Sequence, residues 1–499
     1  MRVQDFFNTK LVNYASYDNL RKIASFIDGF KNASRKVMYT VHEKKIKDKT
    51  KVLQLSNKCA EFADYLHGSL DGVVVTLAQD FAGTNNIPLL QKSGNFGTRS
   101  VQEASAPRYI FANGSKDFFE LFKYEDDNIL ENQKFEGNKI EPRFYVPTLP
   151  MILINGSEGV SSGFAQKILP RNPENIKKYL TSKLNNGTVK SSWLDPYCNG
   201  FKGSFTKDCE TPNRWLVRGC IEFVKRNEYL ITEIPYQYDL KQYLKVLDDL
   251  QDNKKIVRYC DESDGENSLQ FRIWLPKSIT EDTDLLEYLK LVKPITENFT
   301  CIDSNNKIII FNNAEELINK YIEIKKLYIN KRKEYLLNKY NSDLDILTSK
   351  LEFISRYIDG RLLINKKSKS EIIEQLQKVS AIKNIDNYSY LLSMSIYSLT
   401  KEKINELTIA IDDLKHNIKS TNEMTIETLW LNDLTNLKDW QMTMTSSEFR
   451  QFLSDLVKQG RLTEKEQLDI EYTCADLQTR QGKESLNKFI DKMVRELRV

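Results

Sequence analysis

A tyrosine that directly follows an arginine, Arg108-Tyr109, lies downstream of a glycine-rich segment at residues 91–99. A tyrosine hydroxyl can attack a phosphodiester and later be displaced, so that a covalent bond to DNA is made and then undone. An adjacent guanidinium can stabilise the charge that develops on the phosphate oxygens. Because the ordinary pKa of a phenol is about 10, arginine and a divalent metal would have to activate it at neutral pH. Arg-Tyr is a common dipeptide, so the flanking sequence has to support this chemistry.

Other catalytic and metal-binding patterns are missing from the sequence. The three histidines are His42, His67 and His416, and no G-x-S-x-G segment accompanies them, which argues against a Ser-His-Asp hydrolase. His42 begins a segment like a zinc-protease helix, but Ile46 stands where the second ligand is needed. No P-loop pattern occurs, and the seven cysteines form no C-x-x-C pair, which predicts reduced thiols and no zinc site. The sequence therefore predicts no metal site in this chain.

Composition and charge are those of a soluble protein that can bind phosphates locally. The 499 residues are 40% hydrophobic and 28% charged. No run of about 18 apolar residues occurs, and the first residues lack the apolar core of a signal peptide, so a cytoplasmic location is expected. The net charge is only +4, but residues 1–116 hold 17 Lys and Arg against 10 Asp and Glu, a surplus of 7. This local excess suits a phosphate-binding surface, and an ordinary solvated surface is the alternative.

The first two thirds of the sequence predict short helices followed by strands. Helical spacing of apolar residues predicts helices at about 33–42, 53–66 and 72–81, a pattern compatible with a helix-turn-helix or winged-helix unit and with any small helical domain. Residues from about 145 to 310 contain short apolar runs separated by glycines and prolines, which predicts an α+β region. The run Met151-Ile152-Leu153-Ile154, ended by Asn-Gly, is predicted to be one of its strands.

From about residue 314 the sequence predicts long helices. Leucines, isoleucines and tyrosines between 337 and 358 alternate at spacings of three and four, and the same rhythm returns at 404–418. Two such stretches around a compact insert at 359–398 predict an antiparallel coiled coil with a globule at its tip. Long amphipathic helices packed on a core are the alternative interpretation of the same spacing.

Six segments, in a consistent order and spacing, resemble motifs of the DNA breakage-reunion part of type IIA DNA topoisomerases. They are DGFKNASRK at 28–36, DYLHG at 64–68, LLQKSGNFGTR at 89–99, SAPRYIF at 105–111, EPRFYVP at 141–147 and PMILINGSEGV at 150–160. The resemblance covers about residues 15–440 and is closer to the eukaryotic and large-phage enzymes than to bacterial gyrase. It implies a multidomain α+β fold. The implied domains are a winged-helix nucleophile domain (1–148), a tower-like α+β domain (149–313), two coiled-coil arms (314–358 and 399–440), a dimerising helical tip that forms an exit gate (359–398) and a helical tail without an assigned role (441–499).

The resemblance also implies roles for individual residues. Tyr109 would form a 5′-phosphotyrosyl link and release a 3′-hydroxyl, and Arg108 would bind the scissile phosphate. DNA contacts are implied at Lys31, Arg35, His67, Lys92, Arg99 and Val160. Val160 stands where the family usually has an isoleucine that wedges between bases and bends the duplex.

Three positions depart from the pattern of the family. Asn32 replaces the usual proline, Leu66 replaces the first of two histidines, and Val160 is one methylene shorter than isoleucine. The first two changes affect the expected phosphate contacts. The third weakens the wedge by about 0.8 kcal/mol, the value of one buried methylene.

The resemblance implies several partners. The sequence begins just before the nucleophile domain, an arrangement similar to the split topoisomerases of T4-like phages, in which this part is the medium subunit. Mg²⁺ and ATP would then be bound by a large ATPase and metal-binding subunit rather than by this chain. Double-stranded DNA and a second copy of the chain are the other expected partners, with no membrane. A phage-encoded protein of this kind would act in the cytoplasm of the host cell.

Two other functions are compatible with parts of this pattern. A non-catalytic architectural or regulatory DNA-binding dimer would use the same helical unit and coiled coil without cutting DNA. A tyrosine recombinase would link to the 3′ phosphate instead, but its usual set of Arg and His residues is not recognisable in this sequence.

Overall fold

The computed structural model describes residues 3–437, except 278, 280–282 and 366, and beyond them only positions 453, 457, 462–463, 465–470, 473 and 493. The predicted tail at 441–499 therefore lies mostly outside the described residues. Helices and strands are mixed along the chain, which confirms the α+β class. Within the described part of the chain, none of the helices combines the length and the apolarity that crossing a membrane requires.

Fifteen α-helices occur among the described residues, with a π-helix at Phe6–Leu11 and short 3₁₀ turns between them. They are α1 Val3–Asp5, α2 Val12–Lys22, α3 Asn32–Glu43, α4 Val52–Phe62, α5 Asp71–Ala78, α6 Lys116–Leu121, α7 Met151–Asn155, α8 Pro173–Leu184, α9 Leu240–Asp252, α10 Leu285–Tyr288, α11 Ala314–Ile358, α12 Lys369–Gln377, α13 Ser389–Leu392, α14 Lys401–Glu423 and α15 Ile426–Asn436.

All of the sheets in the described residues are antiparallel and small. Their strands are β1 Thr50–Lys51, β2 Leu90–Ser93, β3 Phe111–Gly114, β4 Asn132–Phe135, β5 Asn138–Pro142, β6 Ser157–Val160, β7 Ala165–Ile168, β8 Ser204–Lys207, β9 Arg214–Arg218, β10 Cys220–Lys225, β11 Glu228–Glu233, β12 Arg258–Asp261, β13 Phe271–Trp274, β14 Val292–Thr296, β15 Phe299–Ile302 and β16 Ile308–Phe311. The larger sheets have the orders β1-β3-β2, β14-β9-β8 and β10-β11-β13-β12, and the pairs β4-β5, β6-β7 and β15-β16 form hairpins.

Three helices and one three-stranded sheet form the unit that carries Tyr109. Helices α3, α4 and α5 pack against one another, and β3 lies between β1 and β2. Val52, Leu55 and Cys59 recur at helical spacing on α4 and are fully buried. Ile110, just before β3, and Ala112 on it are buried, whereas Tyr109 belongs to the turn before the strand and lies outside.

Helix α7 corrects the strand predicted at residues 151–154. The four apolar residues form a buried helical turn that ends at Gly156, whose φ is +69°. A Cβ at Gly156 would lie 2.6 Å from the carbonyl oxygen of Ile168, so only glycine fits this turn. A short, continuous apolar run has no period that separates a buried strand from a buried helix, and burial on every side favours both equally.

The α+β region in the middle of the chain has a hydrophobic core of its own. The sheet β10-β11-β13-β12 packs against α9, with buried Ile231, Tyr243, Leu247 and Phe271 in the same cluster. Asp239 starts α9 with a capping box, in which its carboxylate accepts the backbone N–H of the residue three positions on. The end of the segment that leads from β11 into α9 is thus fixed by this cap.

The long helix α11 and helix α14 run antiparallel to each other. Lys333 of α11 donates to the carbonyl oxygens of Asn422 and Met424 at the end of α14, at 2.9 and 2.6 Å. At the other end of the pair, Phe353 packs in one cluster with Leu407 and with side chains of the insert. The insert at 359–398 therefore has a small core on the far end of the helical pair.

A buried ion network joins the base of this helical pair to the nucleophile unit. Arg332 of α11 contacts Asp126 at 3.0 Å and Asp433 of α15 at 2.8 Å. Lys123 also contacts Asp433, at 2.5 Å, and Lys325 lies 3.8 Å from Asp126. Burial lowers the pKa of Lys325 to about 8, although Asp126 opposes the shift. Residues from three distant parts of the sequence thus share one charge cluster.

Candidate nucleic-acid interface

Tyr109 and Arg108 project from the surface at one turn. Tyr109 keeps 70% of its surface exposed. The guanidinium carbon of Arg108 lies 5.7 Å from the centre of the tyrosine ring, and its side chain is exposed too. A phenol and a cation therefore lie side by side at the surface, where a ligand can reach both.

The turn is anchored on the amino end of α4. The first backbone N–H groups of a helix have no partner inside that helix. Here the N–H of Val52 donates to the carbonyl oxygen of Ile110 at 3.0 Å, and the N–H of Leu53 donates to that of Pro107 at 3.2 Å. The N–H of Tyr109 closes the turn on Ala106 at 2.9 Å. The backbone on both sides of the phenol is thus fixed.

The glycine-rich loop before the turn is held by a close backbone approach. Gly97 has φ +88°, and a Cβ there would lie 2.4 Å from the carbonyl oxygen of Gln102. The side chain of Asn95 accepts the N–H of Gly97 at 2.9 Å, and the side-chain amide of Gln79 donates to Phe96 at 2.9 Å. This geometry explains why glycine stands at position 97.

Arg99 was predicted to contact DNA, but the structure buries it, with 1% of its surface exposed. Its guanidinium donates to the carbonyl oxygen of Tyr238 at 2.6 Å and to those of Ile234 and Pro235 at 3.3 and 3.4 Å. These carbonyls belong to the segment between β11 and α9. Arg99 therefore contacts the middle region of the chain instead of solvent.

Arg35 was also predicted to contact DNA and is also buried. Its guanidinium binds Asp28 through two hydrogen bonds of 2.7 and 3.0 Å and donates to Phe30 at 3.1 Å. Asp28 in turn accepts the backbone N–H of Tyr145 at 3.0 Å. Because every one of these groups is inside, Arg35 fixes the bend before α3 and presents no free guanidinium at the surface.

Lys31 lies at the start of α3 and faces the β6-β7 hairpin. Its ammonium donates to the carbonyl oxygen of Glu158 at 2.6 Å. Partial burial lowers the pKa of Lys31, and the nearby Glu158 carboxylate opposes that shift. Lys31 thus ties α3 to the hairpin and remains partly exposed.

Val160 projects from the end of that hairpin with 71% of its surface exposed. The turn after it is held by α2. The Ser161 hydroxyl donates to Asn19 at 2.6 Å, and the N–H and hydroxyl of Ser162 donate to Asp18 at 2.9 and 3.0 Å. We did not predict Asp18 and Asn19 from the sequence. The two adjacent serines of a turn that needs hydrogen-bond partners were the available signal.

His67 and Lys92 are more exposed members of the predicted set. The His67 ring lies between Tyr17 and Tyr65, and its Nε2 shares a hydrogen bond with the Tyr17 hydroxyl. Lys92, on β2, pairs with the carboxylate of Asp80 at the surface. An exposed ion pair of this kind is weak enough to exchange for a phosphate.

A cleft of about 870 Å³ lies between α3, α5, the β6-β7 hairpin and the segment before α9. Its lining includes Lys31, Lys167 and Gln237, but not Arg108 or Tyr109. In the described part of the chain, no three His, Cys, Asp or Glu side chains are grouped so that they could hold a metal ion. The described residues therefore do not supply the carboxylate cluster that a Mg²⁺ site needs.

Comparisons with known proteins agree with the motifs. Residues 21–435 match the family of the A subunits of DNA gyrase and topoisomerase IV. The mitochondrial DNA topoisomerase 2 of Dictyostelium discoideum is 34% identical over 463 residues, which are 89% of this chain and 36% of that protein. DNA topoisomerase 2 of Saccharomyces cerevisiae is 29% identical over 494 residues, 87% of this chain and 34% of the relative.

A solved structure gives the same result for the fold. The DNA-binding, cleavage and re-ligation domain of Plasmodium falciparum topoisomerase II has a TM-score of 0.78 and 30% identity, covering 86% of this chain and 63% of the other. The chain spans about a third of the length of the curated relatives named above. The resemblance to the type IIA breakage-reunion region is confirmed, and the chain belongs to the family of the DNA gyrase and topoisomerase IV A subunits.

Proposed function

We propose that this chain cuts and religates double-stranded DNA as the breakage-reunion part of a type IIA topoisomerase. The observation that carries the proposal is the exposed phenol of Tyr109 beside the guanidinium of Arg108, on a turn fixed by the amino end of α4. A buried tyrosine, or one on an unanchored loop, could not reach a duplex in a defined geometry.

The reaction exchanges one phosphate ester for another. The Tyr109 hydroxyl loses its proton and attacks the scissile phosphorus, and the bond from phosphorus to the 3′ oxygen breaks. The 3′ oxygen takes up a proton and leaves as a hydroxyl, while the 5′ phosphate stays on the tyrosine. Arg108 stabilises the charge on the phosphate oxygens in both directions. The energy of the ester bond is conserved, so religation needs no further source of energy.

Exposure divides the predicted DNA contacts into two groups. We assign direct contacts to Arg108, Lys31, His67 and Lys92, and the duplex-bending wedge to Val160. The buried Arg35 and Arg99 have no free guanidinium to offer a phosphate. Phosphate contacts made by the exposed group would give a salt-dependent affinity.

The architecture supports a gated dimer. The α3-α4-α5 unit with its three-stranded sheet serves as a winged-helix domain, and the region at 149–313 as the tower. The antiparallel helices α11 and α14 serve as coiled-coil arms, and the insert at 359–398 as the dimerising tip. Two copies of the chain then supply two Tyr109 residues, one for each strand of the duplex.

Strand passage also needs ATP hydrolysis and Mg²⁺. We assign both to a companion polypeptide, a large subunit that carries the ATPase and metal-binding domains. The Mg²⁺ that this partner holds would assist deprotonation and phosphate transfer. The residues of this chain hold the nucleophile, orient the phosphate and bend the duplex.

The polarity of the covalent link tests this proposal. Duplex DNA labelled at one end is incubated with the chain, Mg²⁺ and the companion subunit, and the reaction is stopped with detergent. We expect protein on the 5′ phosphate and a free 3′ hydroxyl. Protein on the 3′ phosphate would identify a tyrosine recombinase, and no adduct under any condition would favour the architectural DNA-binding dimer.

A further inference from the structure

The buried guanidinium of Arg99 joins two regions that are far apart in the sequence. It sits within a fan of three carbonyl oxygens, from Ile234, Pro235 and Tyr238, and its Nη2 lies 3.8 Å from the Glu233 carboxylate. Glu233 is itself buried and accepts the backbone N–H of Ile234 at 3.0 Å. The segment between β11 and α9 is therefore wrapped around the side chain of Arg99.

The backbone beside Arg99 makes a second connection to the same region. The N–H of Arg99 donates to the Asn267 side chain at 3.2 Å, and the N–H of Ser100 donates to the carbonyl oxygen of Glu266 at 2.9 Å. Residues 266 and 267 lie in the exposed loop between β12 and β13, two strands of the sheet that also contains β11. The loop of residues 94–109 (the Tyr109 loop) is thus clamped from two sides to the α+β region in the middle of the chain.

The same loop transmits this anchorage to the nucleophile. After Arg99 and Ser100, the chain turns back on itself, with the N–H of Thr98 donating to Val101 at 2.8 Å. The N–H of Ser105 then donates to Asn95 at 3.0 Å, four residues before Tyr109. The clamp at Arg99 and the anchor at α4 therefore fix the two ends of the loop that carries the phenol.

We propose that Arg99 is a positioning residue, which couples the middle α+β region to the Tyr109 loop and does not contact DNA. This inference rests on the proposed function. A planar guanidinium has five N–H donors and can serve several carbonyls at once, whereas an ammonium is a single compact centre. Since the side chain is 1% exposed, a phosphate cannot reach it without opening the clamp. If the middle region moves along bound DNA, Arg99 would transmit its displacement to the loop that carries Tyr109.

The experiment compares Arg99→Lys with Lys92→Ala. Lys92 is partly exposed on the strand before the same loop and serves as the reference for a phosphate contact. For each variant we measure DNA affinity at several salt concentrations and the fraction of covalent adduct at saturating DNA. A lost phosphate contact should lower the salt slope by about 1, which we expect for Lys92→Ala. For Arg99→Lys we expect an unchanged salt slope and about tenfold less adduct, because the phenol is misplaced.

A surface variant guards against misfolding. Asn267 is exposed, and Asn267→Ala removes the acceptor for the Arg99 N–H without touching the core. We expect it to reduce the adduct in the same direction as Arg99→Lys, and Asn267→Asp, which keeps an oxygen acceptor, to restore most of the yield. A lower salt slope for Arg99→Lys with an unchanged adduct fraction would overturn the inference.

A second readout separates this inference from the proposed function. If the wild-type chain formed no adduct with its companion subunit, the proposed function would fail, but the clamp could still be tested in the DNA-free chain. Arg99→Lys and Asn267→Ala should speed hydrogen exchange at the amides of Ser105 and Tyr109 by about tenfold, because those hydrogen bonds depend on the anchored loop. Exchange at the wild-type rate in both variants would refute the coupling.

Discussion

The surface at Tyr109 and the interior below it use the same residue types in opposite ways. Arg108 stands in solvent beside a phenol, with no carboxylate ion pair in the described residues. Arg35 is held inside by Asp28, and Arg99 by three backbone carbonyls. The difference shows that the charge of a side chain does not by itself tell whether the side chain lies at the surface or inside the fold. The availability of an internal partner decides whether a cation supports the fold or faces a phosphate.

The largest expected difference between the buried and the exposed arginines is in their contribution to the stability of the fold. Arg35→Met leaves the carboxylate of Asp28 buried without its cation, which should lower the free energy of unfolding by about 3 to 5 kcal/mol. Arg108→Met removes an exposed side chain and should change it by less than about 0.5 kcal/mol. Urea unfolding of the two variants measures this contrast. Equal losses in the free energy of unfolding would mean that the buried Arg35 contributes no more to stability than the exposed Arg108.

The next largest loss of stability is expected at Gly97, the glycine of the Tyr109 loop. Gly97→Ala forces alanine to φ +88° and brings its Cβ against the carbonyl oxygen of Gln102, so we expect a loss of about 2 to 3 kcal/mol. Gly137 has the same φ of +88° but open space around it. Gly137→Ala should therefore cost only the backbone strain, about 1 kcal/mol. Thermal unfolding of the pair isolates the close approach, and an equal loss would show that the loop can relax.

The buried network at the base of α11 should respond to pH. The pKa of Lys325 is lowered from 10.5 to about 8 in the folded chain, chiefly by burial. Between these values the unfolded state binds more protons than the folded state, so folding becomes more favourable as the pH rises. Relative to Lys325→Met, the wild-type chain should gain up to about 2 kcal/mol between roughly pH 7.5 and 9.5. Parallel pH profiles of stability for the two chains would contradict this placement of charge among Asp126, Arg332 and Asp433.

The smallest expected effect concerns Val160, an apolar counterpart of Tyr109 on the exposed surface. Val160→Ile adds one methylene, worth about 0.8 kcal/mol if it is buried between bases, and should tighten DNA binding by up to about fourfold. Fluorescence energy transfer between dyes at the ends of a short duplex would report the bend. Unchanged affinity and bend would show that this side chain does not enter the duplex.

The sequence predicted the helices well and the burial of charges poorly. The helix predicted at 33–42 is observed at Asn32–Glu43, and the heptad stretch after residue 314 became the single helix α11, because local periodicity determines both. The short apolar run at 151–154 had no period and was assigned to the wrong element. Arg99 finds its carbonyl partners more than a hundred residues away, at Tyr238 among others. No local pattern could reveal that the tertiary fold would bury it.

The exposed phenol is the part of the candidate site that the sequence singles out most directly. Motif order singled out Tyr109 and Arg108, and both lie at the surface at one turn. The adjacent serines after Val160 indicated a turn that needs partners, but no local pattern names Asp18 and Asn19, because the helix and the hairpin are separated by about 140 residues in the sequence. Positioning groups of this kind depend on which segments meet in space.

The most direct test of the account compares the covalent trapping of DNA by the wild-type chain with that by Tyr109→Phe. The variant keeps the ring and loses only the hydroxyl, so DNA binding should be largely retained. With the companion subunit, Mg²⁺ and a supercoiled plasmid, the wild-type chain should leave detergent-resistant protein on the 5′ ends of linear DNA, and the variant should leave none. Cleavage by Tyr109→Phe at the wild-type level would contradict the assignment of the nucleophile.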